Sequence, residues 1–441
     1  MNQVIIYSLE ASPRLTYICS LLFQDLLGTS FRITKDVQDY TDSKGIKLNY
    51  STDNKLIGHY IQPHGLLFES DVKPITPYLG NDWLGIPTLI LGQNENFDIF
   101  ASSFYLVSRY EEYLPFVKDT HHRFSADVSC LSRLNLLERP IINEWALSLS
   151  SDLKKLNPTY VTAPRSFEYQ STIDIDQAWK FKNKGFFRNV GGFFRDLSKL
   201  NWYEVKDRIS VLIRNKPDPF YNFDWQDIVH QNVSHAIQYF IQIGSLGRYD
   251  KNISVDNHNF QRLIKRLDAT YSVGIHPSYQ SNESQSLMQH EHHILENVVG
   301  HDVKVSRQHF LMHRMPATYQ NLIETGIKED HTMGYSTHMG FRAGIAAPFM
   351  FFDLKLNEVT KLKLVPFCCM DITPLHYRKE SVDQTITSIK RQINVVHGVG
   401  GLFVSLWHNE SLSENGRWIG WRVVYEEMIT HLKSIKPPDG A

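Results

Sequence analysis

The sequence predicts an α/β protein in two parts, the second a distorted parallel (β/α) barrel. Three observations carry that expectation. Beyond residue 165, short apolar runs alternate with helix-length amphipathic segments, the pattern of parallel strands joined by crossover helices. At 441 residues the chain exceeds what one ordinary core absorbs. Between a long helical run and a new strand lies NPTYVTAPRSFEY, residues 157–169, with two prolines and no periodicity. Residues 1–160 are therefore expected to form a smaller α/β domain whose sequence names no ligand, and residues 165–435 the barrel.

The first part opens with a β-rich run, VIIYSLE, followed by RLTYICSLLFQDLL, whose apolar residues recur at helical spacing. Glycine- and proline-containing breaks fill residues 58–92. FDIFASSFYLVSRYEEYL reads as a helix ending against Pro115, and IINEWALSLSSDLKKL as another. In the second part STIDID, AIQYFIQIG, YSVGIH, LVPFCCMDI and GLFVSLWH read as strands. NFQRLIKRLDA, ATYQNLIETG and VDQTITSIKRQINVVHG supply helices between them. An aromatic and basic segment at about 180–230 reads as helices inserted after the first of these strands, packed as a lid in preference to lying on a membrane surface.

Composition narrows the function. With 42% hydrophobic residues and a net charge of -1, the chain can bury a core and has no global field to recruit nucleic acid. No run of 18 apolar residues is present, and MNQVIIYSLEASPR lacks the apolar stretch of an export signal. Cys19, Cys130, Cys368 and Cys369 are scattered or adjacent, a poor disulfide framework, so a reducing cytoplasm is the expected home.

Thr172-Ile173-Asp174-Ile175-Asp176 puts two aspartates on one face of a strand. A cation can hold one carboxylate while the other accepts a proton; capping of the following helix is the alternative. His276, in GIHPSY, and His408, in SLWHN, each close an apolar strand. Carboxylates and histidines delivered by different strand ends of one barrel are what metal-assisted hydrolysis requires. A glycosidase is disfavoured, because aspartates two apart on a strand do not flank a sugar ring.

On these motifs, residues 165 to 435 resemble the polysaccharide deacetylase superfamily, carbohydrate esterase family four, in its bacterial branch with an extra N-terminal domain. The resemblance implies Asp174 as catalytic base, Asp176 and His276 as metal ligands, and His408 as the acid. Where the family supplies a second histidine this chain has Gln280, so either Gln280 itself, His309 or water completes the shell, or the metal is absent. Arg307, in SRQHF, matches the arginine that orients the base, with a surface ion pair as its plain alternative. Asp330 matches an acid after the next helix, or caps its exit.

Arg342 lies between glycines in GFRAG, where backbone can approach a ligand and a guanidinium can hold an anion. It is assigned to substrate binding with Tyr279 and Trp407, with glycines that merely form a turn as the equal alternative. His290, His292 and His293 read as a helix face and His121 and His122 as loop residues, without a second ion. The implied cofactor is a divalent metal, zinc by expectation, and the implied substrate an N-acylated sugar, free or lipid-linked. A metal-free amide hydrolase on the same fold and a silent carbohydrate-binding scaffold are the competing readings.

Overall fold

The structure is a computed structural model and describes residues 3–93, 96–164 and 166–435. The expected domain start at residue 165 lies outside the described residues.

Four parallel strands, β1 (Gln3–Tyr7), β2 (Ser30–Thr34), β3 (Ile46–Tyr50) and β4 (His59–Ile61), form a first sheet in the order β2-β1-β3-β4. A small antiparallel pair follows, β5 (Pro77–Leu79) with β6 (Leu89–Leu91). The predicted helix over 97–114 is shorter than its apolar pattern. Asp98 caps it at Ile99, and it ends at Val107 because Arg109 turns left-handed, with φ 53°.

The second part carries β7 (Glu168–Ile175), β8 (Ile237–Gln242), β9 (Ser272–His276), β10 (Val305–Ser306), β11 (Glu329–Asp330), β12 (Phe349–Asp353), β13 (Glu358–Leu364), β14 (Cys369–Met370) and β15 (Leu402–His408). They make one nine-stranded sheet in the order β12-β13-β11-β10-β9-β8-β7-β15-β14, parallel except for the β12/β13 hairpin. The expected barrel is therefore a curled half-barrel, open between β12 and β14. β12, antiparallel to β13, forms one edge of the sheet, and the two-residue β14 forms the other.

First-part helices cover the β12 edge. The Tyr17 hydroxyl donates to Met350 O at 2.6 Å, and Phe104 meets Phe352 edge-on at 5.0 Å between centroids. Buried apolar side chains from Val4 to Leu432 form one continuous cluster across both parts. The four cysteines are buried and unpaired. Among the described residues no helix is long and apolar enough to cross a membrane.

Candidate active site

Parallel strands bring their C-terminal ends to one edge, and the residues just past those ends face one cavity of about 610 Å³. Alternation along β7 buries Ile173 and Ile175 behind the sheet and sends Asp174, then Asp176, into the cavity. His276 ends β9, His309 follows β10, and His408 ends β15 opposite Asp174 in register. All five line the cavity.

Asp176 is the centre. Its Oδ1 lies 3.3 Å from His276 Nε2 and its Oδ2 3.4 Å from His309 Nε2, and the three donor atoms lie within 4.8 Å of one another. Each imidazole is oriented from behind. His276 Nδ1–H donates to Arg307 O at 2.6 Å, and His309 Nδ1–H to Asp250 Oδ1 at 2.8 Å, which turns both Nε2 atoms toward Asp176. A φ of 58° at Phe310, just after His309, helps re-aim the chain there, and Arg123 donates to the Phe310 carbonyl.

These residues fit a divalent cation. Tetrahedral donors about 2.0–2.1 Å from an ion stand roughly 3.3 Å apart; each Asp176 oxygen meets one histidine near that spacing, and one donor atom from each residue lies within 4.8 Å of the others. Asp176 Oδ1 is buried and has no hydrogen-bond partner among the described residues. Burial opposes charge on Asp176, but His309, His276 and His408 hold its carboxyl well below the usual range. Burial likewise opposes charge on His309, and Asp176 with Asp250 raises it to about 9. A bound cation would take the place of the proton that otherwise joins His309 to Asp176.

Asp174 sits beside this trio, 3.7 Å from His276 Nε2 through Oδ2. Its Oδ1 accepts from Arg307 Nη1 at 2.8 Å. Arg307 is buried, donates from Nε to His331 O at 3.0 Å, and lies over the Phe240 ring at 4.4 Å. Across the cavity, His408 Nε2 is 3.8 Å from Asp176 Oδ2, while its Nδ1 meets both oxygens of Asp371 at 3.1 Å. Burial disfavours its charge, but Asp371, then Asp176 and Asp174, raise it to about 10, so it stands as an imidazolium.

Four expected site residues lie elsewhere. Gln280 is exposed in the short Gln280–Glu283 turn, and His309 occupies the neighbourhood of Asp176 instead. Arg342 is buried and committed to Glu112, through Nε to Oε1 at 2.9 Å and Nη2 to Oε2 at 2.7 Å, so it ties the two parts together and does not reach the cavity. The glycine beside it serves the same junction: Gly340, at φ 118°, would place a Cβ 2.3 Å from Leu137 O. Trp407 points behind the sheet onto Tyr425, 4.9 Å between centroids, because its neighbours Leu406 and His408 take the cavity face. Tyr279 stands behind the wall with its hydroxyl 3.1 Å from His121 Nδ1.

Sequence reading missed Asp371, Asp250 and the first-part loop. Asp371 follows β14 and obeys the same strand-end rule as the histidines, so LVPFCCMDI carried a usable signal. Asp250 lies in an irregular loop with none. Lys118 to His121 and Arg123 form one wall of the cavity, joined by Phe310, Tyr377 and Trp418. Asp330 is buried, bound by Ser306 and Thr332, and outside the cavity. His292, on the helix Gln285–Val299, donates to Val303 O in the segment beyond that helix, and His290 and His293 are exposed.

Residues 4–158 match a family of unknown function, DUF7033. No curated protein matches the chain. Among solved structures, the polysaccharide deacetylase Bc1974 from Bacillus cereus is 14% identical, with a TM-score of 0.30 over 60% of this chain and 87% of that one. A probable polysaccharide deacetylase from Pseudomonas aeruginosa PAO1 is 9% identical, TM-score 0.39, over 62% and 86%. The 4-alpha-glucanotransferase from Thermococcus litoralis is 13% identical, TM-score 0.35, over 62% and 41%. Similarity this low extends to proteins with different named activities, and the chemistry has to come from the site's own geometry.

Proposed function

We propose that this protein is a metal-dependent hydrolase that removes an N-acyl group, acetyl by expectation, from an amino sugar or polysaccharide precursor, as the resemblance to polysaccharide deacetylases implies. One observation carries the reading: Asp176, His276 and His309 present three mutually facing donors, with Asp174 on one side of them and a carboxylate-backed His408 on the other. His309 stands where Gln280 left the ligand set short, which favours a metal site over the metal-free alternative.

When bound, a divalent ion, zinc by expectation, would supply Lewis acidity toward the acyl oxygen and an attacking water. Asp174, its other oxygen held by Arg307, takes the proton from that water. His408, kept protonated by Asp371, gives a proton to the departing amine as the carbon–nitrogen bond breaks. The apolar wall of Phe310, Tyr377 and Trp418 offers faces for a sugar ring. Residues 1–160 and 165–435 then act as one unit, because the loop around His121 closes the cavity that the strand ends open.

Acetate release from N-acetylated chito-oligosaccharides and lipid-linked amino sugars tests this. Turnover should vanish after dialysis against a chelator and return with added zinc; undiminished turnover by protein that elemental analysis shows to be metal-free rejects it.

A further inference from the structure

The first helix of the insert, Gly185–Ser198, is built inside out. Its one fully buried side chain is the acid Asp196, whereas Phe186, Phe187 and Phe194 are 74%, 88% and 61% exposed. At 3.6 residues per turn these three rings share one side of the helix. The opposite side, Lys184, Arg188 and Arg195, turns toward a cationic cleft that Arg208 and Lys251 complete. Exposed apolar surface continues through Leu200, Trp202, Tyr203 and Ile213 in the next turn and helix. A lid would bury these rings against its own protein; here they face outward.

Charge names the occupant. Residues 180–216 hold ten lysines and arginines against three acids, a local +7 in a chain of net charge -1. Asp196 is already held by Arg208 at 2.7 Å and Arg195 at 2.8 Å, and Lys199, Lys206 and Arg214 stand exposed in the same segment. Protein interfaces deplete lysine at their cores, whereas an anionic bilayer attracts cations at headgroup level and takes aromatic rings just below it. The face is also tied to the cavity. Asn415 donates to the Tyr203 hydroxyl at 3.0 Å and accepts from Lys180 Nζ at 2.6 Å, and the same loop carries Glu410 and Trp418 into the cavity wall.

We propose that the helical insert docks this protein on an anionic phospholipid surface, with the Phe186, Phe187 and Phe194 rings in the interface and the surrounding cations at the headgroups. This stands whether or not the cavity hydrolyses amides. The full chain should sediment with large unilamellar vesicles in which about a third of the phosphatidylcholine is replaced by phosphatidylglycerol, and far less with phosphatidylcholine alone or in high salt. A Phe186→Ser/Phe187→Ser/Phe194→Ser variant should bind at least about tenfold more weakly with an unchanged circular dichroism spectrum and Tm, since the three rings support no core. Equal sedimentation of variant and parent, or none above the vesicle-free control, overturns the proposal. So does concentration-dependent self-association that the triple variant abolishes without vesicle binding by the parent, which would give the face to a second copy.

Discussion

Asp174 and Asp176 are two residues apart on one strand, yet their neighbours differ: Asp174 faces a guanidinium and Asp176 faces three imidazoles. Asp174→Asn keeps a group for Arg307 to bond but removes the base of the proposed mechanism, so acetate release should fall on the order of a hundred- to ten-thousand-fold while Tm and metal content stay near the parent's. Retained turnover would remove Asp174 from the mechanism. Asp250 bonds His309, and if the proposed metal site is right, Asp250→Asn should weaken zinc binding about 10–100-fold in competition with a chromophoric chelator; unchanged affinity would leave Asp250 a purely structural group. Asp330 gives a pH signature. Burial lifts it from 3.8 to about 6 despite bonds from Thr332 and Ser306. Between those values the unfolded chain has lost a proton that the fold keeps, so stability declines as pH rises through the interval, by at most about 3 kcal/mol. Asp330→Asn can keep those partners and should flatten the decline, as urea unfolding at several pH values would show; an equally steep decline in the variant would contradict it.

At the scale of elements, the junction loop shows how strongly context decides a motif. GFRAG has the composition of a ligand loop, but Arg342 and Arg109 both bond Glu112, and burial of all three makes the cluster costly to break. Removing one partner leaves a buried charge. Arg342→Ala should lower unfolding stability by about 3–5 kcal/mol, whereas an arginine serving substrate alone would leave Tm unmoved and raise KM. Helices were the most legible elements. The run 141–156 coincides with Ile141–Leu156, and 382–398 with Val382–Gly398, whose capping box of Ser381 and Gln384 fixes its start. Where two left-handed residues follow His309, no pattern in SRQHF announced the bend, because a non-glycine left-handed residue is held by its surroundings.

For the whole molecule, one core spans both parts, and the first part covers the β12 edge and supplies a cavity wall. A fragment of residues 166–435 expressed alone should therefore aggregate or lack cooperative unfolding, with its Tyr17 and Phe104 partners gone and the edge exposed. A monomeric, cooperatively folding fragment that retains activity would show that the two parts are energetically separate.

The sequence by itself determined the α/β alternation, the strand ends that carry Asp174, Asp176, His276 and His408, and the helices whose period and caps are local properties. Tertiary structure decided the rest: that His309 and not Gln280 joins Asp176, that Asp371 and Asp250 stand behind the histidines, that Arg342 serves a junction, and that the insert turns its aromatic rings outward. The physical reason is that a strand's alternation assigns a side chain to a face, whereas its partner across the cavity depends on how neighbouring strands twist and where loops return, which residues far apart in the chain settle together.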